Sequence, residues 1–311
     1  MTGAWAQAFA PASVGNVAAG FDLLGHSLLG AGDRARVEII DEPTVRITAV
    51  RGGPDSIPLD AARNTAGAAL IALRAFRGLR HGFALEIDKG IPLGSGMGGS
   101  AASAAAALVA ANALLADPLP IEALYPFALD GETVASGGRH GDNVAPSLIG
   151  GLVLALPDRM IRVPVPASIH CALVHPHQVL ETRAARLALT APYPLEEVTG
   201  QSALLAQLLL GCERGDIELI QRGLRDILIE PRRAPLVPGF ADVKQAALSA
   251  GALGASLSGA GPSLFAWAVD RASAETIADA MAQAFSDHHI ECDRWISPVA
   301  GPGAEVIQCT I

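Results

Sequence analysis

The sequence predicts an α+β fold in two domains, and three observations carry that prediction. Segments with strand-like alternation exchange along the chain with segments of helical spacing. A tight cluster of glycines lies between one such strand and an alanine-rich helix. Short strands punctuated by proline replace helices between residues 157 and 168, which divides the chain into residues 1–160 and 161–311. At 311 residues, 50% hydrophobic and 17% charged, the chain can fill two ordinary cores, and disorder is excluded.

Strands are predicted at 7–10, 36–40 and 45–50, the last two joined by the turn Asp41-Glu42-Pro43. Apolar residues recur at helical spacing over 63–76, and 83–87 alternates as a strand. The glycine cluster follows, then a helix over about 100–116. Pro120 can open a further helix, which Gly137 and Gly138 end. Residues 152–156 and 161–165 suit a hairpin around Pro157 and Asp158. The second half reads as a buried strand at 171–174 and helices at 182–189, 201–214 and 216–228. A helix at 238–250, strands at 252–257 and 263–269, and a helix at 272–285 complete it.

A net charge of −9 argues against a nucleic-acid partner, which needs clustered Lys and Arg. The chain has only two lysines, Lys89 and Lys244, against 20 arginines. Cys171, Cys212, Cys292 and Cys309 form no CxxC pair and read as free buried thiols in a reducing cytoplasm. The N-terminus shows no basic segment followed by an apolar one, so no signal peptide is expected. The most apolar run, 101–116, is shorter than a bilayer span and is interrupted by Ser103 and Asn112, so no membrane partner is expected.

The run from Lys89 to Ser103 carries the most chemistry. Gly94, Gly96, Gly98 and Gly99 lack Cβ atoms, so the backbone can take positive φ and approach a ligand closely. Ser100 is expected as the N-cap of the helix that follows, with the first amides beyond it unpaired. Together these features make an anion site. No lysine follows the glycines, which excludes a GxxxxGK(S/T) loop. Gly94, Gly96 and Gly99 fit GxGxxG, but Asp117 is followed by Pro118 and another helical stretch rather than a strand, so the dinucleotide-binding context fails. A protein-kinase loop would continue as a strand.

Pro92, Leu93, Gly94, Ser95, Gly96, Met97, Gly98, Gly99, Ser100, Ala101 and Ala102 together resemble the phosphate loop of the GHMP kinases, whose usual pattern is close to PxGxGLGSSA. Met97 stands for Leu and Gly99 for the first Ser of that pattern. Three further blocks resemble the family in its own order: residues 9–25, 136–147 and 253–265. Of these, 9–25 and 136–147 are similar to the branch that phosphorylates homoserine. The block at 253–265, with Ser258, Gly259 and Gly261, is similar to the Gly-rich motif that closes over the phosphates from the second domain.

The resemblance implies a two-domain GHMP kinase fold: an N-terminal ribosomal protein S5 domain 2-like domain and a C-terminal ferredoxin-like domain. It implies ATP and Mg²⁺ as cofactors, with Ser100 and Glu132 holding the metal. It implies L-homoserine as acceptor, converted to its O-phospho form in threonine synthesis. Homodimers are common in the family, so the resemblance leaves a homodimer open while no residue of the sequence fixes the assembly.

Such an acceptor carries an ammonium, a carboxylate and a hydroxyl. Arg186 and Arg233 match the family's two carboxylate-binding arginines, a task that suits the guanidinium fork. Asn16 and Asp22 match positions near the ammonium and hydroxyl, and His140 lines the same pocket. Thr182 precedes Arg186 by one helical turn and shares its face. Asn143 matches the residue at the reacting hydroxyl, with Asp142 beside it as the other candidate. Phosphoryl transfer asks mainly for positioning and charge stabilisation, so orientation of the hydroxyl by Asn143 is expected without a strong base. The sequence leaves three rivals: a relative with another alcohol acceptor, a non-catalytic relative, and a dehydrogenase.

Overall fold

The computed structural model describes residues 3–53, 56–180, 182–190 and 192–310, the side chains of residues 182 and 183 excepted. Two sheets organise it.

The first sheet is built from β1 (Trp5–Val14), β2 (Leu24–Ile40), β3 (Val45–Arg51) and β4 (Gly82–Asp88), with α1 (Thr65–Arg77) crossing between β3 and β4. The order β1-β2-β4-β3 is antiparallel except for the parallel β3–β4 pair. The glycine loop leaves β4 and feeds α2 (Gly99–Ala113). Every residue of α2 from Ala101 to Ala111 is buried. A helix apolar on all sides belongs in a core, and its alanines allow close packing against β1, β2, α1, α3 (Tyr125–Ser136) and α4 (Val144–Ile149). The hairpin of β5 (Leu152–Ala155) and β6 (Met160–Val163) joins this sheet through β2.

β7 (His170–Pro176) opens the second sheet. The helices α5 (Thr182–Leu187), α6 (Leu195–Arg214), α7 (Ile217–Gly223), α8 (Glu230–Arg233) and α9 (Phe240–Ser249) follow it. Then come β8 (Gly254–Leu257), β9 (Leu264–Ala268), α10 (Arg271–Asp287) and β10 (Cys292–Pro298). The antiparallel order β10-β7-β9-β8, with α9 ahead of β8 and α10 ahead of β10, is the ferredoxin-like arrangement. The last strand, β11 (Glu305–Thr310), crosses back to pair with β1. The first sheet therefore contains residues from both ends of the chain, and β6 runs past residue 160.

Several elements differ from the sequence expectation. The strand expected at 36–40 is the end of a 17-residue strand. Residues 24–28 are buried on both faces and Gly25, Gly30 and Gly32 interrupt the pattern, so no alternation shows until Arg34, Arg36 and Glu38 reach the open face. The helix expected over 216–228 stops at Gly223. α4, α8, β10 and β11 were not expected. The six residues of β11 are exposed, so burial imposed no pattern on them. Cys171 and Cys212 are buried free thiols, whereas Cys292 is half-buried and Cys309 exposed.

Candidate active site

The glycine loop bounds a cavity of about 470 Å³ that also receives residues from the β1–β2 loop, α3, the segment ahead of α4, α5, α8 and the Gly-rich segment after β8. Gly94, Gly96 and Gly98 have φ of 66°, 77° and 69°. At Gly96 a Cβ would lie 2.3 Å from the Ser258 carbonyl oxygen, so the close approach of the two segments itself requires glycine.

The helix does not begin as expected. Gly98, in the left-handed region, is the N-cap of α2, and no side chain caps it. Ser100 sits inside the first turn, where its Oγ donates to Glu132 Oε2 at 3.1 Å. The first-turn amides thus have neither an intrahelical acceptor nor a side-chain cap.

The carbonyls from Gly94 to Gly99, in contrast, are all engaged. Gly94 O accepts from Leu180 N, Ser95 O from the amide and hydroxyl of Ser263, and Gly96 O from Ser258 Oγ at 2.8 Å. Met97 O accepts from Ser13 N, Gly98 O from Ala102 N, and Gly99 O from Lys89 Nζ. With the acceptors occupied, amides are what the loop offers a ligand, and the dipole of α2 adds to their positive potential.

Among the expected loop residues, Pro92, Leu93, Gly94, Ser95, Gly96, Met97, Gly98, Gly99 and Ser100 line the cavity. Ala101 and Ala102 do not; both are fully buried in α2, and the Ala102 amide is committed to Gly98. Gly259 lines the cavity, while Ser258 braces the loop from behind and Gly261 stands outside the lining.

At the other end of the cavity the expected charged residues converge. Arg186 Nη2 and Nη1 donate to the two carboxylate oxygens of Asp22 at 2.8 and 3.3 Å, and His140 Nδ1 lies 3.3 Å from Asp22 Oδ2. Burial by itself would raise the Asp22 pKa; the hydrogen bonds from His140 and Arg186 outweigh it and hold the carboxyl below its ordinary value. Arg233 is 2% exposed and donates to the carbonyls of Ala185 and Gly259. Burial, with the neighbouring Arg186 charge, lowers its pKa. Both guanidinium groups also lie against the ring of Phe21, at 5.7 and 5.1 Å from its centroid. The Arg186 Nε is buried and has no acceptor among the described residues. Thr182 opens α5, and its side chain lies outside the described residues.

Between the two ends lie Asn16, Asp142 and Asn143. Asn16 and Asp22 hold positive φ, 55° each, strained for residues with a Cβ. The strain is fixed by the Asn16 side chain, whose Oδ1 accepts from Asp22 N at 2.8 Å while its Nδ2 donates to Gly259 O at 2.8 Å. Asn143 Oδ1 accepts from Ser13 Oγ at 2.9 Å and its Nδ2 donates to Asp142 Oδ2 at 3.3 Å. Burial pushes Asp142 up to about 6, and the Asp22 charge adds to the rise. Burial likewise pushes Glu132 up to about 7, against the hydrogen bond from Ser100. A carboxylate and a hydroxyl facing each other at a helix start suit a hard cation that completes its shell with phosphates and water. No cluster of three or more His, Cys, Asp or Glu that could hold a metal occurs among the described residues.

Sequence reasoning missed Ser13, Phe21 and the buried group Asp33, Lys89 and Ser103. For Lys89 a signal existed: one of only two lysines stands directly ahead of the glycine loop.

Cleft and loop have the architecture of a small-molecule kinase whose helix-capping loop is built of glycine and carries no lysine after it. The family model for the GHMP kinases N terminal domain matches residues 64–151, and that for the GHMP kinases C terminal matches residues 205–287. A homoserine kinase of Xanthomonas campestris pv. campestris (strain B100) is 57% identical over 302 residues, covering 97% of this chain and 94% of that one. The homoserine kinase of Xylella fastidiosa (strain 9a5c) is also 57% identical, with the same coverage. The crystal structure of homoserine kinase from Cytophaga hutchinsonii superposes with a TM-score of 0.94 at 40% identity, over 97% of each chain. The chain belongs to the GHMP kinase family, among its homoserine kinases.

Proposed function

We propose that the chain transfers the γ-phosphate of ATP to the side-chain hydroxyl of L-homoserine, giving O-phospho-L-homoserine and ADP. One observation carries the reading: a single cavity joins loop amides suited to a triphosphate with charged groups complementary to a zwitterion. The phosphates lie along residues 92–100 and the first turn of α2, closed from the second domain by Gly259, with Ser258 bracing the loop from behind. A second cavity of about 270 Å³, apolar and reached past Leu93 and Ser100, suits the base of the nucleotide.

Asp22 receives the ammonium, and Arg186 and Arg233 the carboxylate, with Asn16, His140 and Thr182 completing that end. Arg186 and Asp22 are bonded to each other, so a zwitterion exchanges one ion pair for two and leaves neither charge unpaired. The orphan Nε of Arg186 supplies a further donor for the carboxylate. Ser100 and Glu132 would hold Mg²⁺, which supplies charge neutralisation at the transferring phosphate.

Asn143 orients the acceptor hydroxyl, and Asp142, itself bonded to the amides of Asn16 and Asn143, holds Asn143 in place. Asn143→Ala is therefore expected to lower kcat strongly. Unchanged turnover in that variant, with loss of turnover in Asp142→Asn, would transfer the role to Asp142 as a base. Residues 1–160 and 161–311 are the two units of this reading, which carries a cytoplasmic location and a step in threonine synthesis. The test is an ADP-release assay with magnesium and ATP across L-homoserine, mevalonate, shikimate and galactose. Turnover confined to homoserine supports the proposal, and turnover of mevalonate with none of homoserine rejects it.

A further inference from the structure

Beneath the glycine loop, outside the set of groups expected to touch substrate, lies a buried polar cluster. Asp33 of β2 is fully buried, Ser103 of α2 is 4% exposed, and the Lys89 side chain is 7% exposed. Lys89 Nζ is ion-paired with Asp33 Oδ2 and donates to Gly99 O at 2.8 Å and Ser103 Oγ at 2.9 Å. Ser103 Oγ in turn donates to Asp33 Oδ2 at 2.6 Å, and Gly90 N donates to Asp33 Oδ1 at 3.0 Å.

These bonds have a definite topology. Asp33 grips the chain where the loop opens, at Lys89 and Gly90, and again beyond its close, at Ser103. Lys89 ties the same opening to Gly99 O in the first turn of α2. A segment with three left-handed glycines has wide conformational freedom when nothing holds it, and fixing that freedom opposes ligand binding. The geometry points to Lys89 and Asp33 as positioning residues: a buried strap that closes the glycine loop on itself and sets its amides before the nucleotide arrives.

The obvious rival is that Lys89 is a phosphate ligand, since the residue lines both cavities. The structure argues otherwise. An ammonium has three donors, and a carboxylate, a carbonyl and a hydroxyl occupy all three. Its charge is neutralised by Asp33. A buried ion pair contributes little net stability against the desolvation of its members, so what this one secures is the spacing of the loop ends.

The two roles predict opposite behaviour of the partner. If Lys89 binds phosphate, Asp33→Asn frees its charge, and nucleotide binding is unchanged or tighter. If the pair is a strap, Asp33→Asn and Lys89→Met weaken it alike, and the double variant is no worse than either single. The experiment measures KM for ATP and for homoserine in the two single variants, the double variant and Ser103→Ala, with calorimetric titration of a non-hydrolysable ATP analogue. The strap predicts a rise in KM for ATP of about tenfold or more in both charge variants and a smaller rise in Ser103→Ala, with KM for homoserine within about twofold of the parent. Tighter or unchanged nucleotide binding in Asp33→Asn overturns the proposal. So does a drop in thermal midpoint with both KM values unmoved, which marks a merely structural pair. Ser103→Ala, which leaves the ion pair intact, keeps the test decisive where a charge variant fails to fold. The analogue titration reads the strap whether or not homoserine is the acceptor, so a failure of the proposed acceptor is told apart from a failure of this inference.

Discussion

Replacing Asp142 by Asn should make the empty protein more stable, although the residue sits in the middle of the cavity. The carboxyl is 3% exposed, and burial with the nearby Asp22 charge lifts its pKa from an ordinary 3.8 to about 6. The unfolded chain therefore releases this proton near 3.8 and the folded chain only near 6, so between those values the folded state holds the extra proton. Stability against unfolding falls as pH rises through that window, and above it the loss is complete. At about 1.36 kcal/mol for each tenfold step, the full loss is about 3 kcal/mol, of which about 1 kcal/mol is already present at pH 4.5.

An Asn side chain cannot ionise, and its carbonyl oxygen can still accept the bonds that Asn16 N and Asn143 Nδ2 now give to Asp142 Oδ2. Asp142→Asn should thus gain about 1 kcal/mol over the parent at pH 4.5 and about 3 kcal/mol at pH 8. At roughly 2 °C per kcal/mol for a chain of this size, the shift at pH 8 is about 6 °C. Urea unfolding and thermal melting between pH 4.5 and 8, with chelator present and no nucleotide, read the difference directly. A variant less stable than the parent at pH 8, or a gain that does not grow with pH, would refute the reasoning. Glu132→Gln should behave the same way with a window up to about 7. Because the Asp142 charge contributes to the rise at Glu132, the double variant should gain less than the sum.

Other consequences follow from the same geometry. Arg233→Met should raise KM for homoserine by about tenfold or more and leave KM for ATP nearly unchanged, and steady-state kinetics showing the reverse split would remove Arg233 from the acceptor site. Gly98→Ala should abolish detectable binding of an ATP analogue by calorimetry, since the new Cβ would lie 2.2 Å from Ser13 Oγ at a φ of 69°. His26 is fully buried, accepts from Trp267 Nε1 at 3.2 Å, and uses Nδ1 toward Ser27 O, so it is held neutral, and burial lowers it to about 4. The stability gained from neutral His26 is complete above about 6.5 and is lost as pH falls toward 4, a loss of about 3 kcal/mol; His26→Gln should lack it in denaturant unfolding compared at pH 8 and pH 4.5.

Strand and helix periods were legible wherever one face of an element meets water. α1, β4, α9 and α10 fall within a few residues of expectation, because each has a buried and an exposed side. Legibility failed where that contrast vanishes. The start of β2, residues 24–28, is buried on both faces and β11 is exposed throughout, so neither writes a period into its residues.

The phosphate loop was legible for a local reason. Positive φ at Gly94, Gly96 and Gly98 is a demand of the backbone itself, and only glycine meets it cheaply, so the letters at those positions carry the conformation. Partnerships between side chains are not local. Asp22 and Arg186 lie 164 positions apart, and Asn16 reaches Gly259 across 243. A resemblance could nominate Asp22 and Arg186 for the acceptor, but only the folded chain reveals that they bind each other. The same holds for Ser100, whose sequence position marks a helix start while the fold turns its hydroxyl to Glu132. It holds again for Lys89, whose ammonium is drawn beneath the loop by an aspartate on β2. Backbone conformation is set by neighbours in sequence. The charge and hydrogen bonding of a buried side chain are set by whatever the tertiary packing brings against it.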